Sequence, residues 1–87
     1  MPFDLPLPDA LHCQGWRIKI LDREMREEPH ATVCFRTWKW RFGLRSRRYL
    51  DRHPDPSDIP ASVQQCLMEQ LQRLTEEWNS QYPRNPV

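Results

Sequence analysis

No apolar run in this chain approaches the roughly 20 residues needed to cross a bilayer, so a membrane-spanning helix is not expected. There is no CxxC pair: the three cysteines, Cys13, Cys34 and Cys66, stand far apart and are odd in number. That spacing indicates neither a disulfide framework nor a zinc knuckle, and a reducing cytoplasm is the expected location. The opening MPFDLPLPDAL lacks a basic leader region and is broken by three prolines, so it does not read as a secretory signal. A large charge of one sign is also missing. The net charge of +1 is too small to bind a polyanion by bulk attraction alone.

What is present is tryptophan. Four of the 87 residues are Trp, and each buries on the order of 150–250 Å² in a core. That matters because a chain this short makes one domain and hides only roughly 60–65% of its unfolded surface. The segment His30 to Arg48, HATVCFRTWKWRFGLRSRR, alternates apolar and basic residues with the two-residue period of a β-strand. Trp38, Trp40, Phe42 and Leu44 fall on one side, and Lys39, Arg41 and Arg45 on the other. The pattern predicts a sheet with an aromatic buried face and a cationic exposed face.

The same alternation opens after Gly15, where Trp16, Ile18 and Ile20 interleave with Arg17 and Lys19. A polar loop from Asp22 to Pro29 follows. A second strand from about His30 to Phe35 places Ala31, Val33 and Phe35 on one face and Thr32 and Cys34 on the other. A short turn near Arg36–Thr37 returns the chain as a hairpin, without the Asn-Gly signature that would fix its register. Gly43 in the third strand marks a bulge or a close backbone approach. HPDPSDIP then breaks regular structure, with Ser57 and Asp58 as capping candidates and Pro60 suited to a first helical turn.

From about Pro60 to Ser80 a single apolar stripe, Val63, Leu67, Leu71, Leu74 and Trp78, recurs at helical spacing and is widened by Cys66. The expected fold is therefore α+β: a three-stranded antiparallel sheet packed against one long C-terminal helix. Residues 1–14 read as a Pro-rich N-terminal arm, either mobile or docked as a strand. Residues 15–82 form the domain and 83–87 a C-terminal tail.

Charge is sorted along the chain. Residues 1–48 carry a balance of +4 and residues 49–87 one of −3, and Arg36 to Arg48 holds six basic residues and no acidic one. A polyanion site is expected on the first half.

The strand beginning Pro29-His30, the aromatic and basic return strand, the Pro-rich connection and a helix ending Trp78-Asn79 together resemble a family of small bacterial proteins grouped as a domain of unknown function. A closer subset shares Trp40-Arg41-x-Gly43-Leu44-Arg45, Leu50-Asp51 and the tail Tyr82-Pro83-x-Asn85-Pro86-Val87. The resemblance covers about residues 15–87. It implies an α+β fold and, by genomic association, a place in toxin–antitoxin-like modules, and it brings no catalytic residue. The family's usual strand start is Pro-His-x-His-Val; here Thr32 stands where the second histidine would be.

The nucleic-acid-binding candidates are Arg17, Lys19, Arg36, Lys39, Arg41, Arg45, Arg47 and Arg48, since Lys and Arg spaced along a strand face can follow phosphates. Trp38, near the turn, would add a stacking surface if it faces solvent. The bland reading is a solvated face whose cations pair with Asp22, Glu24, Glu27 or Glu28. His30 is the one acid–base candidate, because imidazole titrates near neutrality, with Arg41 or Lys39 to stabilise phosphate charge. His12, Cys13, Cys34, Cys66 and His53 have no ligand spacing, so no metal and no cofactor are expected. The function expected is a non-enzymatic macromolecule-binding module, with nucleic acid on the basic sheet face. The alternatives are a protein-interaction module of toxin–antitoxin-like or phage type, working through an edge strand, the tail or a homodimer, and an RNase-like toxin using His30. No membrane partner is expected.

Overall fold

A computed structural model describes residues 2–22 and 26–87. Its elements in chain order are β1 (Phe3–Asp4), α1 (Asp9–Gln14), β2 (Trp16–Ile20), β3 (His30–Phe35), β4 (Trp38–Gly43), a 3-10 turn (Pro56–Asp58), α2 (Ala61–Glu69) and α3 (Leu71–Gln81). The four strands form one antiparallel sheet in the order β1-β2-β3-β4. The fold is α+β as expected, but its details differ from the expected three strands and one helix.

The additional strand comes from the N-terminal segment. Phe3 pairs with Ile20 and Asp4 with Lys19, and the Leu5 amide donates to the Ile18 carbonyl at 2.9 Å. Prolines at 2, 6 and 8 confine this strand to two residues, too few for any alternation to be visible in the sequence. The chain then turns through α1, whose first amides at Leu11 and His12 both donate to the Pro8 carbonyl at 3.0 Å. Gly15, at φ 102°, ends the helix in the left-handed conformation that a side chain would oppose.

The single long helix is a second correction. Gln70 leaves the helical region at φ −110° and ψ 16°, and its amide is shared between the Cys66 and Leu67 carbonyls at 3.2 and 3.3 Å. Two shorter helices result. Val63 and Leu67 of α2 and Leu74 and Trp78 of α3 each reach 0% exposure, while Leu71 beside the break is only half-buried. Gln70 is neither Gly nor Pro, so no residue type announces the break.

The core lies between the helices and one sheet face. Trp16, Ile18, Ile20, Ala31, Val33, Trp40 and Phe42 supply the sheet side, as the alternation predicts. Tryptophan placement follows the polar handle of the indole ring. Trp40 donates Nε1–H to the Pro54 carbonyl at 2.9 Å, and Trp78 donates to the Asn85 carbonyl at 2.7 Å. The C-terminal tail is thus part of the packing. Asn85 donates to the Glu27 carbonyl, the Val87 amide to Asn79 Oδ1 and the Tyr82 hydroxyl to the Leu21 carbonyl.

Candidate nucleic-acid interface

The strand register sets the outer sheet face in lateral rows. Arg17, Cys34 and Lys39 form one row, and Lys19, Thr32 and Arg41 the next. Residues two strands apart in a row are separated by about 10 Å, twice the inter-strand spacing. The helices pack on the opposite face, so four cations project from two adjacent rows.

They are not equivalent. Arg41 is neutralised by a pair of carboxylates, with Nη2 donating to Asp51 Oδ1 at 2.8 Å and Nη1 to Glu27 Oε1 at 2.9 Å. Arg41 Nε and the Arg41 backbone amide also donate to Asp51. These hydrogen bonds, those with Asp51 first, hold the guanidinium above its ordinary pKa, and the same contacts lower that of Asp51. Lys19 stands 3.9 Å from Asp4. By contrast Arg17, among the described residues, donates to the carbonyls of His12 and Trp16, which carry no formal charge. Lys39 is exposed and has no carboxylate partner among the described residues. Glu24, one of the acidic partners considered for these cations, lies outside the described residues.

Arg36 sits at the tip of the two-residue β3–β4 turn, at φ 57°, with its guanidinium 5.2 Å from the centre of the Phe35 ring. Arg45, Arg47 and Arg48 lie at the other end of β4, in the turn that follows it. Arg45 donates to the Pro86 carbonyl and Arg47 to the Leu44 carbonyl, again without a carboxylate partner among the described residues. Gly43 lets this turn fold tightly onto the strand. A Cβ there would lie 2.4 Å from Ser46 Oγ and 3.2 Å from the Arg48 carbonyl oxygen.

The eight sequence candidates therefore fall into three groups. Arg17, Lys39 and Arg36 occupy the hairpin end of the sheet, Arg45, Arg47 and Arg48 the exit turn, and Arg41 and Lys19 are engaged by carboxylates between them. Nothing in the sequence marks Asp51 as the neutralising group, although it lies ten positions after Arg41 in an otherwise basic stretch.

Aromatic side chains concentrate at the hairpin end. Phe35 stacks on Trp16 at 4.4 Å, Trp16 on Trp40 at 6.0 Å, and Trp38 meets Trp40 edge-on at 6.0 Å and 71°. Trp38 shares the apolar side of the sheet as the alternation predicts, yet it is 47% exposed.

His30 occupies a different environment. It is 0% exposed, its ring lies 5.3 Å from that of Trp78, and Nδ1 is 2.7 Å from the Glu28 carbonyl oxygen. A ring so enclosed is placed for packing, and it has no surface with which to meet a phosphate. His12 and Cys13 lie exposed on α1 and His53 exposed in the Pro-rich connection, whereas Cys34 on β3 and Cys66 on α2 are half-buried. Among the described residues no group of three or more His, Cys, Asp or Glu side chains converges as metal ligands, and no helix is long and apolar enough to cross a membrane. Burial raises the Cys34 thiol pKa against the opposing pull of Lys19 and Lys39. No protein-family model, curated protein or solved structure matches this chain.

Proposed function

We propose that the protein binds nucleic acid through the cations its fold leaves without a carboxylate, chiefly Arg17, Arg36 and Lys39 at the hairpin end of the sheet. The sorting of charge by the fold carries this reading. Arg41 and Lys19 are engaged by carboxylates, whereas Lys39 and Arg36 extend into solvent and Arg17 meets carbonyl oxygens. Cations spaced in this way can follow a backbone of phosphates. Arg45, Arg47 and Arg48 form a second cationic group at the far end of β4, suited to extending the contact.

A protein-partner reading has less support. The tail that would serve as its contact is engaged within the fold through Trp78, Asn79 and Glu27. The edge of β4 is closed from Arg41 onward, where the Leu50 amide donates to the Arg41 carbonyl and the Gly43 amide to the Arg48 carbonyl, each at 2.7 Å. The enclosed His30 ring gives an RNase-like role no support.

Titration with labelled DNA and RNA across a salt series tests the proposal. Three phosphate contacts give a slope of log K against log salt of about −2, at roughly −0.7 per contact for single strands. Affinity should be in the micromolar range and fall when Lys39 or Arg36 is changed to Glu. Absence of binding to every nucleic acid at about 50 mM salt refutes it.

A further inference from the structure

Trp38 is the one large aromatic side chain among the described residues that stands nearly half in solvent, at 47% exposure. Its position has no packing explanation. The three other tryptophans are each 5% exposed or less, and two of them donate an indole N–H to a carbonyl. Trp38 is instead braced from one side only. Its ring meets Trp40 at 71°, an edge-on contact that fixes its orientation while leaving ring surface open. Phe35, its cross-strand partner, is stacked on Trp16. Phe35, Arg36, Thr37 and Trp38 line a shallow recess of ≈ 360 Å³.

The surroundings state which occupant fits. Arg36 rims the recess, while Lys39, the next residue after Trp38 on β4, belongs to the outer face of the sheet. Neither has a carboxylate partner among the described residues. An aromatic surface rimmed by the Arg36 guanidinium matches a flat, uncharged ring with an anionic neighbour. An unpaired nucleobase between two phosphates has that chemistry, and a base inside a duplex cannot present its face to the recess. Arg36 is also held in the left-handed region at φ 57°, an uncommon conformation for a residue with a side chain.

We infer that Trp38 is a stacking platform for one unpaired base, so that the ligand of the hairpin end is single-stranded rather than duplex nucleic acid. This rests on the nucleic-acid reading above and narrows it. Stacking on a braced ring tolerates any base, because every base has a π-face, so little sequence preference is expected.

The test compares wild type, Trp38→Ala and Trp38→Phe with oligo-dT and oligo-rU of about ten nucleotides and with duplex DNA of the same length. Wild type should prefer the single strands, and part of its tryptophan emission should be quenched on binding them. Trp38→Ala should lose roughly 5- to 100-fold in affinity for single strands and little for duplex. Trp38→Phe should keep most of the affinity and lose the quenching. Thermal melting verifies that both variants remain folded, and Trp38→Phe serves if the alanine variant does not. Equal binding of single strand and duplex by wild type, or unchanged affinity in Trp38→Ala, overturns the stacking assignment and leaves the polyanion reading standing. Binding of neither ligand, or of a proline- or aromatic-rich peptide in their place, overturns both.

Discussion

Replacing Asp51 with Asn should lower stability by about 1.5 kcal/mol at neutral pH. Asp51 receives the Arg41 backbone amide at 2.9 Å and two edges of its guanidinium at 2.8–3.2 Å. Charged hydrogen bonds of this kind contribute roughly 1.5–3 kcal/mol when well buried, and exposed pairs about 0.2–1. With side-chain exposures of 39% for Arg41 and 25% for Asp51, the pair belongs between these limits. Asparagine keeps an acceptor for the Arg41 amide and removes the charge. For a domain of this size the loss corresponds to a fall in Tm of about 6–12 °C.

The effect must depend on pH. The Arg41 hydrogen bonds hold the Asp51 carboxyl below its ordinary value, so the folded state binds fewer protons than the unfolded chain. The contribution is fully present above the unfolded value of about 3.9 and is lost as pH falls through the lowered folded value. Melting curves of wild type and Asp51→Asn should therefore converge as the solution is acidified below about pH 4. A difference in Tm under about 2 °C at pH 7, or one that persists undiminished in acid, would refute the assignment.

Gly43→Ala should destabilise by about 1–3 kcal/mol, since the Ser46 hydroxyl and the Arg48 carbonyl must both give way; chemical denaturation measures it. Arg36→Gly should leave Tm unchanged or slightly raised, by relieving the left-handed conformation, while weakening nucleic-acid binding; a fall in Tm would contradict this. Trp78→Phe should cost about 1–3 kcal/mol by leaving the Asn85 carbonyl without its donor, and should speed proteolysis of the last residues. Among the cysteines, Cys13 should be alkylated first and Cys34 more slowly at mildly alkaline pH, because burial suppresses its thiolate; mass spectrometry of tryptic peptides after timed iodoacetamide treatment reads the order.

Much of the fold is legible in residue periodicity. Wherever one face of a strand meets the core, as at Trp16-Ile18-Ile20 and Trp40-Phe42, a two-residue alternation is written into the chain. The helical stripe from Val63 to Trp78 is legible for the same reason. The break at Gln70 is not, because it occurs at an exposed residue with no conformational peculiarity. Strand β1 is hidden since two paired residues between prolines hold no period. The cations were legible as a set, and Gly43 as a close approach. Their neutralisation was not, since Asp51 and Glu27 reach Arg41 from separate segments that only the folded chain brings together. Trp38 falls on the apolar side of its strand, and that pattern leaves open whether it faces solvent. Its 47% exposure is a tertiary fact with no local signature.

The proposed contact surface is the hairpin end of the sheet. Titrating isotopically labelled protein with oligo-dT while following amide and indole resonances locates the contact directly. Shifts should concentrate at Phe35 to Lys39, Arg17 and the Trp38 indole, with smaller ones at Arg45 to Arg48. Shifts confined to the surface between α1 and α2, or the absence of any shift at saturating oligonucleotide, would contradict the account.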